Sequence, residues 1–140
     1  MADSSDVDAA LVSRLAGDAA LAALMQSGAF VFIDEAPTGS TRFVIVSLVD
    51  EFDVAQFGGR SHEDNLFLVE ARMLSTAGGA IKTAAARIDA LLEQATFSIP
   101  GFSLMTCHRE RRVRSTEVDD LDSSIRWFRR GGNYRVVCSL

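Results

Sequence analysis

The sequence predicts one α+β domain over residues 1–140, in which a largely antiparallel or mixed β-sheet has two α-helices packed on one face. Two observations predict this class. A strand pattern over Leu66–Leu74 passes through Gly78-Gly79 into a helical pattern that ends at Ala95. Along the whole chain the elements follow the order helix, two or three strands, helix, two or three strands, which favours segregated helices and strands over an alternating α/β fold.

The stretch from Leu66 to Ala95 carries the clearest periodicity. Strand side chains alternate with period two, and one of the two resulting sets is wholly apolar: Phe67, Val69, Ala71 and Met73. Apolar residues then recur at helical spacing, at Ile81, Ala84, Ala85, Ile88, Leu91, Leu92 and Ala95. We therefore expect this strand and this helix to share a core.

Length and composition indicate a globular protein. The chain has 140 residues, of which 48% are hydrophobic and 24% charged, enough to bury a core without metals or disulfides. The first eight residues are acidic where a secretory signal would be basic, which predicts maturation in a cytoplasm. The two cysteines, Cys107 and Cys138, are predicted to be small buried hydrophobes rather than a disulfide.

The first half of the chain reads as helix followed by strands. A helix begins near Ser4–Asp6 and is interrupted at Gly17-Asp18, after which a short helical segment leads to a strand ending at Ile33. The β-branched segment Arg42–Asp53 predicts the next strand. The interval Val54–Asn65 is predicted to be a protruding loop of the kind that often forms contact surfaces.

The second half is predicted to complete the sheet. Ser103–Arg114 reads as an arginine-rich strand, and Thr116–Asp122 as an acidic loop. Ser124–Arg130 and Asn133–Ser139 read as strands, broken at Gly131-Gly132 either by a turn or by a bulge in one long strand.

Signatures of catalysis are not found. His62 and His108 do not lie at metal-ligand spacing from other ligands. Cys107 and His108 are adjacent on a strand and would point to opposite faces, which disfavours a nucleophile–base pair. The glycine pairs do not form a phosphate-binding loop. The sequence therefore predicts no enzyme, no metal and no cofactor.

Charge is distributed unevenly around a net value of −5. Residues 1–70 carry three basic and twelve acidic residues, whereas residues 71–140 carry eleven basic and seven acidic residues. The arginines of 109–114 could contact phosphates, pair with acids of a neighbouring subunit, or solvate an exposed face. Regular alternation would place Arg109 and Arg111 on one face and Arg112 on the other. A pI near 4.9 disfavours general nucleic-acid binding.

Over nearly its whole length the chain resembles the small tail-completion, or tail-terminator, proteins of long-tailed bacteriophages and related gene-transfer particles. The resemblance rests on the layout of Asp18–Leu24, Asp34–Pro37, Arg42–Val49, Gly58–Asp64, Leu66–Leu74, Ala80–Ala95, Ile125–Phe128 and Tyr134–Val137. It implies a structural, non-enzymatic virion protein at the tail-neck junction, assembled in the host cytoplasm. Subunits of such proteins form a ring, usually of six, that caps the tail tube, ends its elongation and meets the head–tail connector. DNA would pass through the lumen without specific binding.

The resemblance and the charge asymmetry together suggest a subunit seam. Acids of the first half would meet arginines of the second half across it, and the glycine-bearing loop would project towards the tube or the connector. The candidate interface residues are Asp50, Glu51, Asp53, Gly58, Gly59, Arg60, Arg109, Arg111 and Arg112. Two alternatives remain: another ring component of the neck or tail, such as a connector or tube subunit, and a small-ligand-binding domain.

Overall fold

The computed structural model describes residues 4–56, 59–75, 79–93, 96–97, 99, 101, 103–118 and 124–139. The elements are α1 Ser4–Ala16, α2 Ala19–Ala22, β1 Val31–Ile33, β2 Arg42–Gln56, β3 Gly59–Ser75, α3 Gly79–Leu92, β4 Ser103–Val118 and β5 Arg126–Ser139. The strands form a five-stranded sheet in the order β1-β2-β3-β5-β4. Only β1 and β2 run parallel among the described pairs. The α+β class and the mostly antiparallel, mixed sheet are therefore confirmed. Within the described residues, no helix has the length and apolar character needed to span a membrane.

The core forms where α3 meets the sheet. Val69, Ala71, Tyr134 and Val136 are buried with α3 residues such as Ile88 in one hydrophobic cluster. Directly opposed residues of antiparallel strands lie on the same face of the sheet, so we call this side the α3 face. The apolar set predicted on the central strand does line the core.

A charged anchor joins the short helix α2 to α3. Asp18 caps α2 by accepting a hydrogen bond from the Leu21 amide at 2.8 Å. The same carboxylate accepts two hydrogen bonds from the Arg87 guanidinium, at 2.8 and 2.6 Å. These bonds lower the pKa of Asp18 from 3.8 to about 2. One side chain therefore satisfies a helix terminus and fixes it to another helix.

The predicted loop over Val54–Asn65 is wrong, because β2 and β3 form one long hairpin. β2 continues to Gln56 and β3 begins at Gly59, and these two residues pair directly. The β2–β3 pairing contains two register shifts, one between Leu48 and Asp50 and one between Val54 and Ala55. A two-stranded ribbon extending past β1 can expose polar residues on both faces, so the polar composition of this stretch did not require a loop.

The predicted break at Gly131-Gly132 is also wrong, because β5 continues through both glycines. The irregularities lie instead on the partner strand β4, between Leu104 and Thr106 and between Arg109 and Arg111. β4 also extends to Val118, so the first part of the predicted acidic loop is strand, whereas residues 119–122 lie outside the described residues.

Gly131 explains why β5 carries a glycine at this point. A Cβ atom built on it would lie 2.0 Å from the Val69 carbonyl oxygen and 2.5 Å from the Glu70 Cα. Both contacts are to the backbone of β3, so no side-chain adjustment could relieve them. The glycine permits a close approach of two strands instead of ending one of them.

Candidate interaction surfaces

The predicted acidic residues lie along one edge of the sheet. β1 pairs only with Val44–Val46 of β2, so the later part of β2 pairs with β3 alone among the described strands. We call the backbone segment that carries Asp50, Glu51 and Asp53 the acidic edge. Of the other candidates in this region, Gly59 and Arg60 lie at the start of β3, paired with Gln56 and Ala55, and Gly58 lies outside the described residues.

The predicted arginines lie at the opposite edge. Arg109, Arg111 and Arg112 belong to β4, which within the described sheet pairs only with β5. Two strands, β3 and β5, separate β4 from the acidic edge. The structure therefore brings the three arginines together on one strand and the three acids together on another, and it keeps the two groups apart within a subunit.

A bulge at Glu110 changes which arginines share a face. Arg109 pairs with Tyr134, Arg111 with Asn133 and Arg112 with Gly132. Glu110 of β4 therefore has no directly opposed residue on β5. Because Tyr134 is on the α3 face and β5 alternates regularly, Arg109 and Arg112 lie on the α3 face and Arg111 on the other. The prediction that Arg109 and Arg111 share a face is wrong for this reason.

The bulged residue is held by an ion-pair network on the far side of the sheet. Glu110 and Asp64 both accept hydrogen bonds from the Arg135 guanidinium. The Arg135 bond holds the pKa of the Glu110 carboxyl below its usual range. Arg135 of β5 thus connects the bulge in β4 to β3, and this connection fixes the register of β4.

Arg109 is committed to contacts inside the subunit. Its guanidinium lies 3.3 Å from the Asp89 carboxylate, and its backbone amide donates to Glu93 at 2.6 Å. Asp89 also accepts a hydrogen bond from the buried Tyr134 hydroxyl at 2.9 Å. In contrast, Arg111 and Arg112 are exposed and make no ion pair with any described residue. No described residue of the same subunit therefore engages these two guanidinium groups.

Sequence reasoning missed an open groove of about 500 Å³ between α3 and the β4–β5 pair. Its charged lining residues are Lys82, Asp89, Arg109, Arg112, Arg114 and Arg130. The period of β4 alone would have placed Arg112 and Arg114 together. Only the tertiary structure brings Lys82 of α3 and Arg130 of β5 to the same place.

The cysteines do not provide a reactive site. Cys107 and Cys138 are both free and buried. Burial, with smaller contributions from nearby acids, raises the pKa of Cys107 to about 12 and that of Cys138 to about 11. Thiols in such surroundings are poor nucleophiles. Within the described part of the chain, no cluster of three or more histidine, cysteine, aspartate or glutamate side chains could hold a metal ion.

Comparison with known proteins agrees with the layout of the fold. A solved chain from the virion of a native gene transfer agent particle matches with a TM-score of 0.66 and 21% identity, over 94% of this chain and 93% of that chain. A second solved chain matches with a TM-score of 0.58 and 14% identity, over 97% and 96% of the two chains. No curated protein sequence matches significantly. The family described as tail completion protein gp17 matches residues 9–138. This chain therefore belongs to the tail completion protein gp17 family and is a structural protein of the virion tail.

Proposed function

We propose that this protein forms a ring, most simply a hexamer, that caps the phage tail tube, ends tail elongation and joins the tail to the head connector. Its partners are then other copies of itself, the tail-tube protein and the head–tail connector protein. It acts at the tail-neck junction after assembly in the host cytoplasm. DNA passes through the ring lumen without specific binding, in keeping with the net charge of −5.

The observation that carries the proposal is the placement of opposite charges at opposite edges of one sheet. A ring requires heterologous contacts, in which one surface of a subunit meets a different surface of its neighbour. The acidic edge on β2 and the arginines of β4 are two such surfaces, and they are separated by β3 and β5. Their charges attract when subunits are arranged head to tail and repel when like edges meet.

The proposal includes the predicted arrangement of both long helices on one face of the sheet. α1 contacts β1 and β2, and α3 contacts β3, β4 and β5. Buried residues of both helices, such as Leu11 and Ile88, belong to the same hydrophobic cluster. This arrangement would leave the outer strand edges to join neighbouring subunits.

Tail length tests the proposal. Reversing two exposed charges of β4 with R111E and R112E should weaken the seam, because the new carboxylates would face the acidic edge of the neighbour. Particles carrying this double variant should show tails of irregular, excessive length and heads that are not joined. The matched control is R42E, which reverses an exposed arginine at the far end of β2.

Electron microscopy of negatively stained particles gives the tail-length distribution directly. Normal tail lengths and joined heads with the double variant would contradict the proposed seam. Purified protein that polymerises into long tubes on its own would instead favour a tube subunit, and an invariant monomer without affinity for tails or connectors would favour a ligand-binding domain.

A further inference from the structure

The groove between α3 and β4–β5 carries an excess of positive charge, and we call it the basic groove. Among the described residues, five cationic side chains line it, and Asp89 is its one acidic side chain. Asp89 is already engaged by Arg109 at 3.3 Å and by the Tyr134 hydroxyl at 2.9 Å. The carboxylate and the Arg109 guanidinium therefore offset each other, and no other described acid of the lining offsets the positive charge of the remaining residues.

Four cations of the basic groove have no partner within the described part of the chain. Lys82, Arg112, Arg114 and Arg130 make no ion pair or hydrogen bond with a described side chain. Four like charges around one recess repel each other, which is unfavourable unless an anion enters. Four other arginines of this protein are paired in contrast: Arg72, Arg87, Arg129 and Arg135 each bind a carboxylate of the same chain.

The sequence builds this recess from two elements. On α3, Lys82, Ala85, Ala86 and Asp89 recur at helical spacing and face the sheet edge. The alanines are short, so they leave the space open and give it an apolar floor. On β4, the bulge at Glu110 turns Arg112 towards the α3 face. Without that bulge, alternation from Arg109 would have turned Arg111 towards the groove in its place.

We propose that the basic groove is the socket for the acidic edge of a second copy of this chain. This inference rests on the proposed ring and specifies where the seam lies: the neighbour's acidic edge enters beside α3, between Lys82 and the arginines of the groove.

Charge and position both favour this occupant. Twelve acidic residues against three basic ones in residues 1–70 make the first half of the chain the complementary surface. β4 is an outer strand of the described sheet, so the groove lies beside the edge that a neighbouring subunit would approach. A volume of about 500 Å³ has room for several carboxylate side chains of an extended strand.

Duplex DNA fits the groove less well. Duplex phosphates lie on the outside of a wide rod, and a recess of about 500 Å³ admits side chains but not a duplex. Here the unpaired cations line a recess, and the surrounding protein carries a net charge of −5 that repels a polyanion. A strand edge with a few spaced carboxylates carries far less negative charge than a duplex and can enter the recess.

Peptide binding to the full-length protein tests the inference apart from ring formation. The probe is a fluorescent peptide of residues 47–56, and a control peptide replaces its three acids by asparagine or glutamine. Fluorescence anisotropy should show binding of the acidic peptide that weakens with added salt. R112E/R130E should weaken it about tenfold or more, and the uncharged peptide should not bind.

The matched control is R42E/R126E, which makes the same total charge change at two exposed residues outside the groove. It should leave peptide binding within about twofold of the wild type. Circular dichroism establishes that each variant is folded, and R112Q/R130Q replaces the reversed pair if that variant does not fold.

Three outcomes would overturn the inference: no binding of the acidic peptide, equal loss of binding in the groove and control variants, or binding of a short DNA duplex that outcompetes the peptide for the groove arginines. Normal tail capping together with failed peptide binding would reject the socket and leave the proposed function standing. Failed tail capping by the wild-type protein would reject the proposed function itself.

Discussion

Replacing Gly131 by alanine is expected to destabilise the protein severely. The new Cβ would lie 2.0 Å from the Val69 carbonyl oxygen and 2.5 Å from the Glu70 Cα. Ordinary contacts of this kind are about 3.4 Å or longer, so β3 and β5 must separate by more than 1 Å. Because both atoms belong to the backbone, the separation disrupts the β3–β5 ladder at the centre of the sheet.

The size of the effect follows from what the ladder loses. Two or three hydrogen bonds at about 1 kcal/mol each, together with loosened packing of the core against α3, amount to about 3 kcal/mol or more. For a domain of this size that corresponds to a fall in Tm of roughly 10 °C. Urea unfolding followed by circular dichroism measures the free energy of unfolding.

Gly17 is the matched control, since a Cβ atom there would lie 3.2 Å from a single atom, the Ser13 carbonyl oxygen. Gly17→Ala should change the free energy of unfolding by less than about 1 kcal/mol, because slight strain opposes the loss of chain entropy in the unfolded state. A Gly131→Ala variant as stable as Gly17→Ala would refute the close approach of β3 and β5.

Four further predictions concern stability. Asp18→Asn retains the cap on α2 but loses the charged pair with Arg87, so urea unfolding should show a loss of about 1–2 kcal/mol. Because the pKa of Asp18 is lowered to about 2, its stabilisation is complete above about pH 4 and is lost as the pH falls towards 2; the pH-dependence of unfolding should flatten in Arg87→Gln. Asn65 is fully buried, and its two amide atoms have no hydrogen-bond partner among the described residues. Asn65→Leu should therefore raise the free energy of unfolding by about 1 kcal/mol and raise Tm with it, and an unchanged or lower Tm would count against this reasoning. Tyr134→Phe should cost about 1–2 kcal/mol, because a buried hydroxyl bond to Asp89 is removed.

Periodicity was sufficient to predict the centre of the fold. The core contains the predicted strand residues Phe67, Val69, Ala71 and Met73 together with Ile81, Ala84, Ile88, Leu91 and Leu92 of α3. The spacing of apolar residues along a strand or a helix is a local property, so it can be predicted without knowing the rest of the fold. The α+β class followed from the same patterns and from the order of the elements.

Amino-acid composition gave wrong secondary-structure predictions where strands extend past the core. The stretch Val54–Asn65 is polar and contains glycines, which is typical of loops, yet it forms the end of a hairpin. Gly131-Gly132 resembled a break because the sequence does not reveal that β3 approaches β5 so closely. Such approaches depend on residues distant in sequence.

The sequence predicted which residues form the candidate interface, but not how these residues are arranged on the surface of the protein. The acids of β2 and the arginines of β4 were identified from the charge asymmetry and the family resemblance, and they lie at opposite edges of the sheet. The bulge at Glu110 has no local signature, so the faces of Arg111 and Arg112 could not be assigned from alternation. The basic groove also needs Lys82 and Arg130, which only the tertiary structure brings together.

The most direct test of the head-to-tail seam mixes two charge-reversed proteins. One variant replaces Asp50, Glu51 and Asp53 by lysine, and the other replaces Arg111 and Arg112 by glutamate. Each alone presents like charges at both edges and should fail to limit tail length, whereas an equal mixture can alternate the two around the ring and should restore it. Tail lengths measured by electron microscopy decide the matter: restoration only in the mixture is the predicted result. A mixture no better than either variant, or either variant fully active alone, would contradict the account.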